Sequence, residues 1–273
     1  MPAARDTPTL FASVLCGTDN SASGVAARRQ AAWLAGPDGL VELVPRRELT
    51  DLRSRPLAER CRDYDLLVLG SEGDDQKLIA GARVPVLLAR WCPAGRDVTD
   101  EILVAVGDHA GAERAAKLAA HLAVRRRGSV SVIPAPGRSR DMTRAIAATQ
   151  RIVLCTAAMT PRVLSELAKP EVAISRAAAQ VGASLLVLGV GDDAWSATEA
   201  ADIARHAGCS FLAVPELTAR SARESSRSRR TDTPRRTDRS HSRSRGRSLT
   251  RTSQASSLIT QPRGVVVTAL SQE

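Results

Sequence analysis

The sequence predicts an α/β chain of two tandem Rossmann-like domains with parallel five-stranded sheets, the first one trimmed, and a disordered basic C-terminal tail. Three observations carry that prediction. Five consecutive apolar residues, Ile102 to Val106, include β-branched Ile102, Val104 and Val106 and read as a strand buried on both faces. A Gly107-Asp108-His109 turn ends the run, and Ala115, Leu118, Ala119 and Leu122 then recur at helical spacing. The same strand–turn–helix unit stands 88 residues earlier, where Val14-Leu-Cys-Gly-Thr-Asp19-Asn-Ser leads into Gly24 to Ala35. Two further pairs follow in the same order: Asp65–Gly70 with Ser184–Gly189, and Arg83–Ala89 with Gly208–Val214. Ordered echoes of this kind are a tandem repeat.

Residues 1–9 read as a disordered leader. The first domain, 10–96, predicts strand Leu10–Cys16 and then helix Ser23–Ala35, with Ser21 or Ser23 able to cap it. Strand Leu40–Val44 follows the Gly36-Pro-Asp-Gly39 turn, a short helix covers Pro56–Arg62, and strands run over Leu66–Leu69 and Val84–Ala89. Very little helix fits between the polar loop after Gly70 and the last of these strands, which is why this domain reads as trimmed. The second domain, 100–216, predicts strand Ile102–Val106, helix Ala112–Val124, strand Ser129–Ile133, helix Asp141–Thr149 and strand Arg151–Cys155. Helix Glu171–Val181, strand Leu185–Leu188, helix Ala197–His206 and strand Ser210–Val214 complete it. Strands alternating with helices imply parallel sheets with crossover connections.

Charge divides the chain sharply. Residues 217–273 hold 13 arginines against Glu224, Asp232, Asp238 and Glu273, so nine of the ten net positive charges lie there and residues 1–216 carry only +1. The stretch Ser221–Arg251 is Arg, Ser and Thr without apolar periodicity and is expected to stay unfolded. Such a tail offers weak, non-specific nucleic-acid contact through counterion release. It lacks Tyr, Phe and Trp, so it has no stacking platform. The plainer readings are a solvated extension or basicity incidental to a GC-rich reading frame, in keeping with 36 Arg against three Lys. No apolar run reaches transmembrane length and no signal-peptide pattern opens the chain, so a cytoplasmic location and no membrane association are expected. Aromatic residues are 2% of the chain, so its cores must be built from Ala, Val and Leu.

Five cysteines, Cys16, Cys61, Cys92, Cys155 and Cys209, form no C-x-x-C pair, and those beside predicted strands read as reduced core thiols. Four widely spaced histidines show no metal-ligand spacing. Asp108 and His109 are adjacent, so a polar turn describes them better than an acid–base pair. His121 reads as a partly buried structural histidine, and His206 as a helix C-terminal residue. Ser21 and Ser23 read as caps, not nucleophiles, because no motif places a histidine base beside them. With no catalytic constellation, a non-enzymatic role is expected.

These pieces, from Leu10 to Pro215, resemble the universal stress protein family in its tandem two-domain form. The second copy carries the closer match, through Glu113-Arg-Ala-Ala, Ala178-Ala-Gln-Val-Gly-Ala-Ser-Leu-Leu-Val-Leu-Gly189 and Ile203-Ala-Arg-His-Ala-Gly-Cys-Ser-Phe-Leu-Ala-Val-Pro215. The resemblance implies parallel sheets and, in many members, an ATP site. That site combines an acidic residue after the first strand with a G-x-x-G-(nine residues)-G-[ST] loop, whose backbone N–H groups approach the phosphates. Both copies here depart from the pattern. Asp19, Gly70 and Gly73 are in place in the first, but Arg83-Val84 stand where Gly-Ser/Thr is expected. In the second, Gly107 takes the acidic position with Asp108 next to it, and Gly189 and Gly191 are spaced wrongly, Asp192 standing for the second glycine. Glu72, Asp74 and Asp75 in one loop, and Asp192 and Asp193 in the other, would repel a phosphate unless Mg²⁺ bridged them to it.

The resulting expectation is a non-catalytic stress-response protein with a degenerate nucleotide-binding loop and no resident cofactor, acting by association with an unidentified protein partner. Family members commonly dimerise through the last strand, so Ser210–Val214 is expected to pair the two copies within one chain or between two chains. The alternatives are a stress sensor binding ATP with Mg²⁺ through the first domain, and a nucleic-acid-associated protein held by its tail.

Overall fold

Nine strands and eight helices follow one another along the described part of the chain. In the first half β1 (Ser13–Thr18), α1 (Ala22–Ala35), β2 (Leu40–Pro45), α2 (Arg46–Thr50), α3 (Leu57–Arg60), β3 (Leu66–Gly70), α4 (Asp75–Gly81) and β4 (Val86–Ala89) follow one another. The second half runs β5 (Glu101–Val106), α5 (Ala110–Arg126), β6 (Ser129–Pro134), α6 (Met142–Ala157), β7 (Arg162–Val163), α7 (Pro170–Val181), β8 (Leu185–Val190), α8 (Ala197–His206) and β9 (Ser210–Pro215). In this computed structural model the described residues are 10–50, 56–71, 75–91, 97–107, 109–134, 142–165, 168–191 and 195–216. The expected leader 1–9 and tail 217–273 lie outside them.

All nine strands join one sheet in the order β2-β1-β3-β4-β9-β8-β5-β6-β7. Every neighbouring pair is parallel except β4 and β9, which run antiparallel with Val86, Leu87 and Leu88 opposite Ala213, Leu212 and Phe211. The last strand of each half therefore meets the other at the centre. Each repeat keeps its own inner order, β2-β1-β3-β4 and β6-β5-β8-β9, to which the second half adds β7 at its edge.

The helices follow from small residues and placed caps. The face that α5 turns to the sheet is mostly alanine, with Ala112, Ala115, Ala116, Ala119, Ala120 and Ala123 buried. Alanine lets the helix lie close and meets the shortage of aromatics without leaving voids. Ser196 and Glu199 form a reciprocal capping box on α8. Pro170 opens α7, and Gly182, at φ 64°, closes it in the left-handed conformation. One core, on the face covered by α7 and α8, gathers Leu67, Leu88, Leu103, Leu186 and Phe211; the other, under α1 and α5, gathers Val14, Leu66, Val104, Val187 and Leu212. Both cores take residues from both halves.

The same position starts each half's central strand. The Asp65 carboxylate accepts from the Ala12 and Ser13 N–H groups at 2.9 and 3.0 Å. At the equivalent point the Ser184 hydroxyl accepts from the Glu101 N–H at 3.1 Å.

Four sequence expectations are corrected. Arg151–Cys155 is not a strand but the last turns of α6, with Ala145, Thr149 and Val153 buried one turn apart and Leu154 52% exposed. A β-branched run inside an amphipathic helix imitates a strand, and here the helical period decides. The edge strand is instead the two-residue β7. The helix thought to be missing from the first half exists as the seven-residue α4. Cys155, expected in a core, is consequently exposed, whereas Cys16, Cys61 and Cys209 are buried. His121 is exposed, not partly buried, with Nδ1 2.7 Å from the Lys117 carbonyl oxygen one turn back. Among the described residues no helix is long and apolar enough to cross a membrane.

Phe211 is fully buried where β9 meets β4. Phe211→Ala is expected to lower unfolding stability by about 3–5 kcal/mol, read from urea denaturation followed by circular dichroism.

Candidate functional site

In a parallel sheet the carboxyl ends of the strands open toward helix N-termini, where ligands of such folds bind. Both halves have such a mouth, and among the described residues side chains of the chain itself reach into each.

In the first half β1 gives way to Asp19, and Ser21 caps α1 by accepting the Gly24 N–H at 3.0 Å. Asp19 Oδ1 in turn accepts the Ser21 N–H at 2.9 Å and the Ser21 hydroxyl. The Ser21 and Ser23 hydroxyls lie 2.9 Å apart. Ser21 thus has the capping role expected of it, and Asp19 supports it from behind. The Ser21 hydroxyl and then its backbone N–H hold the Asp19 carboxyl below its ordinary value of 3.8. Gly70 ends β3 against α1: a Cβ there would stand 2.8 Å from the Ser23 carbonyl carbon and 3.0 Å from the Gly24 nitrogen. The sequence reading missed Arg46, which follows β2 directly. Its guanidinium donates to the Gly70 carbonyl oxygen and pairs with Asp75 at 3.2 Å. Both side chains are nearly buried, 11% and 4% exposed. Burial pushes the Asp75 carboxyl up, and the Arg46 charge pulls against it. Asp75, read from sequence as a loop carboxylate facing a phosphate, is instead the first residue of α4 and turns inward. Gly73, Glu72 and Asp74 lie outside the described residues.

The second mouth solves the same helix start differently. Exactly as many residues on, 88, His109 stands where Ser21 stood, and its Nδ1 accepts the Ala112 N–H at 3.1 Å. This geometry assigns the neutral tautomer with its proton on Nε2. The ring lies along Gly107, where a Cβ would come within 2.7 Å of Nε2. The space for an acidic side chain at that position is taken by imidazole. Gly189 packs on α5: its Cβ would fall 2.4 Å from the Gly111 carbonyl carbon. Gly191 is covered by Glu216, whose Oε2 would be 2.6 Å from an added Cβ. The Gly191 N–H donates to the Trp195 carbonyl oxygen at 3.2 Å, and Trp195 is 1% exposed. Glu216 closes the loop from the other side, its N–H donating to Val190 O at 2.7 Å. Arg114 donates to the Pro215 carbonyl oxygen, and burial pulls its guanidinium below the ordinary value. Asp108, Asp192 and Asp193 lie outside the described residues.

Of the six residues read as nucleotide-binding, Asp19 and Gly70 come together at one mouth and Gly189 and Gly191 at the other, with Gly73 and Asp108 undescribed. The two strand-end glycines serve close strand–helix packing. Glu216, which lies against Gly191 at the second mouth, has no signal in spacing or motif. Among the described residues no three His, Cys, Asp or Glu side chains gather to hold a metal.

Gly189→Ala forces a methyl against the α5 backbone and is expected to lower stability by about 1–3 kcal/mol in urea denaturation. Gly81→Ala, with its nearest neighbour 3.5 Å away, should be tolerated. The depressed Asp19 carboxyl favours the charged, folded form, so its contribution is present above its unfolded value and fades as pH falls through the folded one. Asp19→Asn should therefore lose stability less steeply than the native chain as urea midpoints are followed from about pH 5 to about pH 2.

No protein-family profile and no curated protein matches this chain. Solved structures do. A universal stress protein from Archaeoglobus fulgidus superposes with a TM-score of 0.57 at 13% identity, covering 75% of this chain and 96% of that one. A functionally unknown protein from Pseudomonas aeruginosa gives 0.53 at 16% identity, covering 81% and 99%. At such identities the likeness is one of architecture, and the architecture is that of the universal stress proteins.

Proposed function

We propose that this chain is a non-catalytic protein of the universal stress protein type that serves stress adaptation by associating with a protein partner, its nucleotide loops degenerate. The observation that carries this reading is the occupation of both mouths by the chain's own groups. Arg46 and Asp75 lie across the end of β3, and His109 and Glu216 crowd the ends of β5 and β8. A phosphate held by backbone N–H groups needs glycines with an open approach. Gly70 and Gly189 instead spend that freedom on contact with α1 and α5. The one hydroxyl that meets a carboxylate at the first mouth, Ser21 on Asp19, is engaged as the cap of α1 through the Gly24 N–H. The tandem halves, joined through β4 and β9, support a scaffold that needs no second chain to cover those two edges.

One observation favours a second reading, a sensor that binds ATP with Mg²⁺ in the first half. Asp19 stands at the carboxyl end of β1 with its carboxylate kept ionised, which suits hydroxyl donors of a ribose. Calorimetric titration of the full chain with ATP and Mg²⁺, beside Asp19→Ala, separates the two. The scaffold reading expects no heat and an unchanged melting temperature. Micromolar binding abolished by the substitution would establish the sensor. At a hundredfold excess over Kd it would add about 2.7 kcal/mol of stability, or roughly 5–10 °C in melting temperature.

A further inference from the structure

At the end of the sheet opposite the second mouth, and beyond β4, β9 and β8 from the first, the amino ends of β5, β6 and β7 border a cavity of about 400 Å³. That volume lies within the range of small-molecule sites. The strand register assembles its polar floor. Ser129 on β6 pairs with Glu101 on β5, and Ser131, two residues on, pairs with Arg162 on β7. Alternate residues of a strand share a face and paired residues point the same way. Glu101, Ser129, Ser131 and Arg162 therefore project from one face and line the cavity together. Met159, after α6, and Val181, at the end of α7, supply apolar wall.

The two charges in this floor are of opposite sign and separately placed. Both Glu101 oxygens are held by hydroxyls, Oε1 accepting from Ser131 at 2.8 Å and Oε2 from Ser129. A carboxylate has about four acceptor positions, so two serines fix it in place and leave capacity for a further donor. Arg162 is exposed on the edge strand, two strand spacings or roughly 10 Å from Glu101 across the sheet. Its planar fork matches a carboxylate. A plain anion would face Glu101, and a plain cation would face Arg162. A molecule with a cationic and an anionic end satisfies both.

We propose that this cavity binds a free α-amino acid with an apolar side chain, its ammonium group on Glu101, its carboxylate on Arg162 and its side chain against Met159 and Val181. The site is separate from both mouths and stands whether or not either takes a nucleotide.

The test is calorimetric titration of the full chain with L-leucine, N-acetyl-L-leucine and L-leucinamide, repeated on Glu101→Gln and Arg162→Ala. L-leucine is expected to bind. Removing the ammonium, as in the acetyl compound, or the carboxylate, as in the amide, should weaken binding roughly tenfold or more, the loss of one charge-assisted pair. Each substitution should weaken L-leucine binding to the same extent. Arg162→Ala, at an exposed position, should leave the melting temperature of the ligand-free chain in place. No heat with L-leucine at millimolar concentration would overturn the proposal. So would equal binding of L-leucine by native chain and both variants, or binding of L-glutamate or L-arginine in preference to L-leucine.

Discussion

The antiparallel pairing of β4 with β9 is the contact on which the rest of this molecule depends. Each half is a parallel sheet whose last strand is apolar but for Ser210: Val86–Ala89 are all buried, as are Ser210–Val214. Left alone, either strand would present an unpaired apolar edge to water and to other chains. Paired, they turn two small sheets into one of nine strands with two cores that run through both halves. Polar contacts lock the junction. The Arg90 guanidinium donates to the Ala204 carbonyl oxygen at the end of α8, at 2.9 Å, and the Arg90 N–H donates to the Ser210 hydroxyl at 3.1 Å. Gln30 of α1 donates to the Arg90 carbonyl oxygen at 2.8 Å and accepts the Ser210 hydroxyl at 3.1 Å. A helix of each half is thereby tied to the seam.

With the sheet fixed, the mouths inherit a common geometry and fill it with different chemistry. A helix start leaves backbone N–H groups that need an acceptor. Ser21, backed by Asp19, provides one at α1, and the imidazole of His109 provides one at α5. Glycine at the end of β3 and β8 lets each strand touch its neighbouring helix at less than the distance a methyl group needs. Gly70 and Gly189, which look in the sequence like parts of a phosphate-binding loop, lie where strand packs closely on helix. At the second mouth the Glu216 side chain also lies against Gly191, and its N–H is tied to the Val190 carbonyl oxygen.

Much of this fold is legible in the sequence, because its repeat is written in apolar strands and alanine-rich helices whose periods leave little ambiguity. The bounds of α8 follow from local chemistry alone, and so does a serine cap on α1, although the sequence leaves Ser21 and Ser23 as alternatives for it. Arg151–Cys155 misleads because Ile, Val and Leu in sequence favour a strand locally, while burial at four-residue intervals is set by the sheet beneath α6. Asp75 misleads for a related reason. Acidic runs read as solvated loops, and only the return of β2 brings Arg46 close enough to draw one carboxylate inside. Residues that meet across such distances in sequence, Arg46 with Gly70 or Glu216 with Gly191, carry no local pattern to be read.

The central claim is that one continuous sheet, not two separable ones, underlies whatever this protein does. Native-state hydrogen exchange at β4 and β9 tests it most directly. The account predicts that the ladder amides of Val86–Leu88 and Phe211–Ala213 exchange only through global unfolding, as slowly as those of β3 and β8. Exchange at the seam by a lower-energy opening, with β1 and β5 still protected, would show the halves parting and would contradict it.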